Sequence, residues 1–476
     1  MISTLGVRGP RRPAAPVALS GVGLFVACGG IVLALAWLAP QFLMPTLAVI
    51  GGASVLWLVW AGVPMLSALL PRLRWWHVLW TALFLSDFTF RIRSAEASVE
   101  NPLDPWAVYR VALVGIVAVT LLLRLSMKAT NPLAVLSKGA VGWLMVYGLV
   151  NLASVAWSVY PAWTAYKSLE FLTDLALLAA IVATLRSLRG YKTIFDWTWA
   201  LYGGLLLVVW AGVFVWPSVA LEPTRGLLGI SISGVVPLIP PNTVGRMGAV
   251  LGIVAMIRLA RPTAHRGFYA VAFLLSLASL IFAQSRGPLA GFLLALVVIL
   301  IAMRRWRVSM AIAAAALIVL LTPGLRDAAQ QFVLRGQDAE LFQSLSGRTT
   351  WWNYAWDRFQ EHPLVGFGGF AGPRFTVLAN IGESETSTLH NTWLEVLLST
   401  GALGLALLLA ALVSVCTALW RFRALALHEA ETGGLWLEAV GVLIVLLVTS
   451  TFSTELIWHP ALFFLAIVGY AQQLRG

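Results

Sequence analysis

Residues 392–420 read TWLEVLLSTGALGLALLLAALVSVCTALW, and Glu395 is the only charged side chain among them. The run exceeds the about 20 residues that a helix needs to cross the hydrocarbon of a bilayer. Lipid offers the backbone no hydrogen bonds, so such a segment must satisfy itself, as a helix does. Working outward, apolar runs recur at about 17–38, 45–69, 75–90, 106–126, 137–157, 164–186 and 194–216. They continue at about 243–260, 267–285, 287–303, 307–322, 433–453 and 456–473. The runs at 75–90, 287–303 and 307–322 are short for a full crossing. The expectation is an all-α polytopic membrane protein of 12 to 14 transmembrane helices, with residues 1–476 forming a single integral membrane domain.

Composition agrees. Hydrophobic residues make up 60% of the chain and charged residues 11%, whereas a soluble domain carries about 25% charged residues. Cys28 and Cys416 both lie in apolar runs and imply neither a disulfide nor a metal framework. Arg8, Arg11 and Arg12 precede the first run, which is too long for a signal peptide and reads as an uncleaved span.

The net charge of +12 reads as loop charge rather than as a nucleic-acid surface. With a cytoplasmic N-terminus, 20 of the 32 Lys and Arg fall in short cytoplasmic loops, from Arg8 to Arg475. The inverted topology would violate the positive-inside bias at nearly every loop, and an even number of crossings then puts both termini in the cytoplasm. The other 12 cations lie outside or near the outer ends of spans: Arg91, Arg93, Arg110, Lys167, Arg225, Arg246, Arg286, Arg326, Arg335, Arg348, Arg358 and Arg374. Arg286 stands out, in the tight turn Ala283-Gln284-Ser285-Arg286-Gly287-Pro288 between two apolar runs. An ionisable group there is costly and is a functional candidate, with snorkelling to lipid headgroups as the bland alternative.

Two outer segments are long. One, at about 217–242, is rich in Pro and Gly, and the other, at about 323–391, is too long for an ordinary connection. Within the second, Ser346 is a candidate cap, and Trp352, Trp356 and Phe359 fall at helical spacing on one apolar stripe. Trp at this density suits a short amphipathic helix in the membrane interface. Pro363 ends that helix, and Gly366-Phe367-Gly368-Gly369 turns the chain.

No pair among the six histidines has zinc-site spacing, and no Walker loop, nucleotide fingerprint or Gly-x-Ser-x-Gly elbow is present. No metal or other cofactor is expected. What remains is a set of outer arginines and His390. The arginine fork suits phosphate and stays charged. Histidine can take a proton from an attacking hydroxyl, although a lone loop histidine is more often structural than catalytic.

The run His390-Asn391-Thr392-Trp393-Leu394, followed by Gly401-Ala402-Leu403-Gly404, resembles the signature of the O-antigen ligase and O-antigen polymerase superfamily. Ser346-Gly347-Arg348 with Trp352, then Pro363 to Gly368, resembles the block upstream of that signature. Ser285-Arg286-Gly287, and Arg225 followed by Pro241-Asn242, resemble its earlier outer turns. The resemblance runs in order from about 220 to 410. It implies a Gram-negative inner-membrane glycosyltransferase with a periplasmic site. Segments 217–242 and 323–391 would then be its first and large periplasmic loops. The implied donor is undecaprenyl-pyrophosphate-linked O-antigen, and the acceptor of the ligase branch is a sugar hydroxyl of lipid A–core.

Carried over by position, the resemblance makes His390 the catalytic base and sets Arg225 and Arg286 on the pyrophosphate. Arg348 becomes a further basic position, and Asn242 and Asn391 become polar positions that orient loops. Lys167 and Glu170 lie one turn apart and are candidates for the same cavity, with a local ion pair as the alternative. No carboxylate nucleophile stands out, with Glu383 and Glu385 kept as exceptions, so the reaction is expected to invert the anomeric carbon. Compact motifs favour ligase over polymerase. A transporter would instead need intramembrane charges forming a relay, and Asp87, Asp174 and Asp196 suggest none.

Overall fold

The computed structural model describes residues 40–88, 90, 105–127, 132–185, 187–225, 227–261, 263, 265–337, 344, 347–382, 388–428 and 430–475. The expected first span at 17–38, the candidate cap Ser346, and Arg91, Arg93, Glu383 and Glu385 lie outside the described residues.

The longer helices are α1 (Pro40–Leu69), α2 (Trp75–Ser86), α3 (Pro105–Ser126), α4 (Gly139–Ala153), α5 (Pro161–Thr184) and α6 (Leu188–Val215). They continue with α7 (Pro241–Leu259), α8 (Arg266–Phe282), α9 (Arg286–Ala302), α10 (Trp306–Leu321) and α11 (Pro323–Leu334). The last are α12 (Arg348–Phe359), α13 (Thr392–Arg421), α14 (Ala430–Thr449) and α15 (Leu462–Leu474). The apolar runs from 45–69 onward therefore fall on helices, because the runs are long and continuous enough to exclude half-buried strands.

Six helical stretches are long and apolar enough to cross a membrane: α3, 139–156, α6, α7, α13 and 431–449. Helices α10 and α11 reach that length only as a pair bent by 98°. The chain is an α-helical membrane protein; among the described residues six helices, or seven with the bent pair, have the length and apolarity of a crossing, and four shorter apolar helices stand beside them. Helix α2 has 12 residues and α15 has 13. At 1.5 Å per residue each covers about 20 Å or less, short of a bilayer core. Helix α5 has the length, yet it buries Lys167, Glu170 and Asp174.

Helix α7 is central and packs on α6, α8, α9 and α14. Its residues from Val244 to Leu259 are nearly all buried. Gly248 allows the closest approach: a Cβ there would lie 2.8 Å from the backbone nitrogen of Leu280 on α8. Helix α13 is broken at Gly401, whose φ of 66° no L-residue holds cheaply. The break exposes backbone groups that lipid cannot satisfy, and the segment after α12 supplies partners. Ala402 and Leu403 donate to the Pro363 and Leu364 carbonyls at 2.8 and 3.2 Å, while Phe367 and Gly368 donate to the Leu398 and Ser399 carbonyls at 2.8 and 3.0 Å.

The connection at 217–242 is not all loop. It holds an antiparallel hairpin of β1 (Leu221–Pro223) and β2 (Ile230–Ile232), with Leu221 opposite Ile232. The long segment 323–391 holds α11, α12 and a wide helical turn at Pro373–Leu378. Helix α12 begins after Gly347, a left-handed residue whose N–H donates to Ser344 Oγ at 3.2 Å. Its seam also differs from the expected stripe. Ala355 is buried between Trp351 and Phe359 over Phe367, Leu378 and Leu389, whereas Trp356 is 49% exposed. A spacing of four runs through both sets, and packing against the 367–389 segment chooses Trp351, Ala355 and Phe359.

Candidate functional site

The turn at 283–288 gathers the site. Gln284 sits at φ 47° and donates its side-chain amide to Thr224 Oγ1 at 3.0 Å and to the Ile230 carbonyl, tying the hairpin to the turn. Ser285 Oγ donates to Asn242 Oδ1 at 2.9 Å, tying the first turn of α7 to the same place. Asn242 thus joins the start of α7 to the 283–288 turn through one hydrogen bond.

Arg286 opens α9 and reaches the end of α11. Its Nε donates to the Val333 carbonyl at 2.7 Å, and its Nη2 donates to the Leu334 carbonyl at 3.0 Å and to Gln337 Oε1 at 2.6 Å. A cation on the last carbonyls of a helix complements their partial negative charge. The chain then turns through Arg335, at φ 57°. Gly336 follows, with its α-carbon set so closely on the Arg225 backbone that any side chain would collide with it. Arg225 itself is exposed.

Arg335 is the cation that sequence reading placed outside without giving it a role. Its charge acts on Arg286 and on Arg348. Burial lowers the pKa of Arg335, and the Glu222 carboxylate on the hairpin opposes that shift. Burial, and then the Arg335 charge, hold the Arg348 guanidinium below its usual range. Arg348 opens α12 and donates to the Phe452 carbonyl at 3.3 Å, while the Phe452 ring lies against Gly287. Arg286, Arg335 and Arg348 therefore form one group held by α9, α11 and α12, with the Arg225 backbone adjoining it at Gly336. The signal for Arg335 was local: an Arg-Gly pair closing an amphipathic helix.

His390 stands beside Arg348. Burial, and then the Arg348 charge, push its pKa down to about 4, so the imidazole is neutral near pH 7 and able to accept a proton. Its backbone is held at φ 54°, a conformation costly for a residue with a Cβ. Its neighbours impose this. Leu389 N–H donates to the Glu395 carboxylate, and Trp352 Nε1 donates to the Leu389 carbonyl at 3.0 Å. Asn391 caps α13, with Oδ1 accepting from Trp393 and Leu394 N–H at 3.0 and 3.1 Å; such a cap contributes about 1 kcal/mol. Thr392 then bonds the Ser453 carbonyl through its hydroxyl at 2.7 Å. Trp352 and Glu395 were missed as site residues because only the fold brings them to residue 389.

Lys167 and Glu170 do not join the arginines. They bond each other at 2.6 Å with side chains 4% and 1% exposed. Their surroundings form a second polar group. His459 Nδ1 lies 2.7 Å from Asp174 Oδ2, its Nε2 lies 2.8 Å from Ser86 Oγ, and Arg246 pairs with Glu455. Asp174 thus has a partner in a hydrogen-bonded chain that its sequence position did not suggest. Glu395 and Glu438 are buried acids as Asp174 is. Arg258, counted as a cytoplasmic loop cation, instead turns inward, donating to Glu438 at 2.8 Å and ion-pairing with Asp196 at 2.8 Å.

The comparisons fall on this geometry. No curated protein matches the chain. Residues 271–409 match the O-antigen ligase family model, a stretch that holds Arg286, Arg335, Arg348, His390 and Asn391 and leaves Arg225, Asn242, Lys167 and Glu170 outside it. That stretch of the chain is therefore similar to the O-antigen ligase family.

Proposed function

We propose that the protein is an O-antigen ligase, moving a polysaccharide from undecaprenyl pyrophosphate to a sugar hydroxyl of lipid A–core on the periplasmic face of the inner membrane. The observation that carries this reading is the gathering of Arg286, Arg335 and Arg348 beside a neutral, buried His390. Neighbouring guanidinium forks offer a diphosphate several charge-assisted hydrogen bonds at once, which supports a lipid-linked diphosphate as the ligand. Arg225, whose backbone adjoins Gly336, borders the same place.

In the reaction, the acceptor hydroxyl attacks the anomeric carbon from the side opposite the diphosphate. His390 takes the hydroxyl proton as the new C–O bond forms. The bond from the anomeric carbon to the diphosphate oxygen breaks, and the arginines stabilise the charge that collects there. The configuration at that carbon inverts. The step needs no metal ion, because the guanidinium groups supply the positive field. Asn242 and Asn391 act by holding the 285 turn and the start of α13 in place.

The test is the lipopolysaccharide profile of a deletion strain. Loss of the whole O-antigen ladder, with lipid-linked O-antigen accumulating, is the expected result. A single-repeat band would assign the chain to the polymerase branch instead, and an unchanged ladder would overturn both.

A further inference from the structure

One turn into α7 from Asn242, a cavity of about 240 Å³ opens between α7 and the 454–463 segment, with Asp87, Tyr202, Arg246, Glu455, Trp458 and His459 in its walls. It shares two supports with the arginine site. Arg246 follows Asn242 by four residues on α7, a rise of about 6 Å. Ser453, whose carbonyl holds Thr392, bonds Glu455 through its hydroxyl, and Glu455 pairs with Arg246 in the cavity wall.

From this we infer that the cavity is a subsite for one neutral sugar ring of a glycan substrate; the inference rests on the glycosyl-transfer reading above. The lining selects the ligand class. Asp87 and Glu455 would repel a phosphate, so the diphosphate belongs to the arginine group. Arg246, Asp87, Glu455 and His459 line it together with Tyr202 and Trp458, a mixed wall that suits no polyprenyl tail. Carboxylates and a guanidinium pair with sugar hydroxyls, and aromatic faces pack on the apolar face of a ring. Tyr202 is itself stacked on Phe463 at 3.9 Å, which fixes its plane. Arg246 Nε is buried without a hydrogen-bond acceptor among the described residues, an N–H that a ligand oxygen would satisfy. The volume accommodates a single ring.

The ring can come from the acceptor glycan or from the donor chain, and the experiment separates them. The full chain is placed in nanodiscs, avoiding sugar-headed detergents, and saturation-transfer NMR is recorded with D-glucose, D-galactose and L-rhamnose. Signal from at least one sugar is expected. It should be retained in His390→Ala and reduced at least fivefold in Thr243→Phe, which fills the cavity from a wall residue. Absence of signal from every sugar, or full signal in a folded Thr243→Phe, overturns the subsite. Should Thr243→Phe not fold, a diazirine-bearing sugar on the wild-type chain decides. Crosslinks within 243–247 or 454–463 support the subsite, and crosslinks elsewhere only refute it. In a transfer assay, Thr243→Phe raising the KM of the acceptor alone assigns the ring to the acceptor, and raising that of the donor alone assigns it to the donor. Sugar binding without any transfer would sink the glycosyl-transfer reading and leave the subsite; transfer without sugar binding would do the reverse.

Discussion

Two charged regions lie close together and are built on opposite rules. Around the 283–288 turn, cation faces cation: Arg335 acts on Arg286 and Arg348, and Arg348 acts on His390. Around the 454–461 segment, cation faces carboxylate: Lys167 meets Glu170, Arg246 meets Glu455, and His459 meets Asp174. The second arrangement pairs its charges among its own side chains, which leaves its cavity suited to a neutral ligand rather than to an anion. Removing one partner of such a buried pair costs about 3–5 kcal/mol, because the other is left stranded. The first brings several guanidinium groups together, with Glu222 acting on Arg335, and suits the diphosphate proposed for it. On this reading, charge pattern rather than charge density separates the place proposed for a diphosphate from the one proposed for a neutral sugar.

The largest effect that tests this contrast is expected at His390. His390→Ala should lower transfer by about 10²–10⁴-fold, the range for losing a general base, with membrane insertion unchanged; transfer above a tenth of wild type would remove it as the base. Arg286→Lys comes next. An ammonium cannot cover the Val333 and Leu334 carbonyls and also keep a fork toward phosphate, so a loss of about 10–100-fold is expected from one or two charge-assisted bonds. Full activity would mean that Arg286 serves only lipid headgroups.

Trp352→Phe is a finer probe. It keeps the ring and deletes the indole N–H held by the Leu389 carbonyl, a bond contributing about 1 kcal/mol. Turnover should fall about fivefold with little change in KM, and an unchanged rate would show that the His390 backbone needs no such clamp. The smallest effect is a shift of pH limb. Because His390 is held at about 4, the acid limb of kcat/KM should lie near pH 4, with activity kept at pH 5. The stability sign follows from the same shift. The unfolded imidazole takes its proton near 6.5 and the folded one near 4, so stability is lost as pH falls across that interval. A limb at 6.5 would place the catalytic imidazole in water.

Much of the fold was legible because lipid makes hydropathy a strong signal. Each described run from 45–69 onward carries helix, while helix lengths alone reach six or seven crossings among the described residues, since apolar content does not report where a helix stops. The 456–473 run reads as one span, yet it folds as a polar connection around His459 followed by the short α15. Of the site, His390, Arg286 and Arg348 were legible through resemblance and through charges that defy the positive-inside bias. Arg335, Gln284, Trp352 and Glu395 were not, because each acts on a residue distant in sequence or through the backbone. Lys167 and Glu170 illustrate the converse: their spacing suggested a pair, and the pair is what forms.

The most direct test of the central claim, that the chain's own guanidinium groups do the work on the diphosphate, is transfer by the wild-type protein in proteoliposomes containing chelator. Lipid-linked O-antigen and lipid A–core are supplied, and released undecaprenyl pyrophosphate is counted against ligated product. Full turnover without added metal, one diphosphate released per glycan transferred, is the predicted result. A strict requirement for a divalent cation would contradict it.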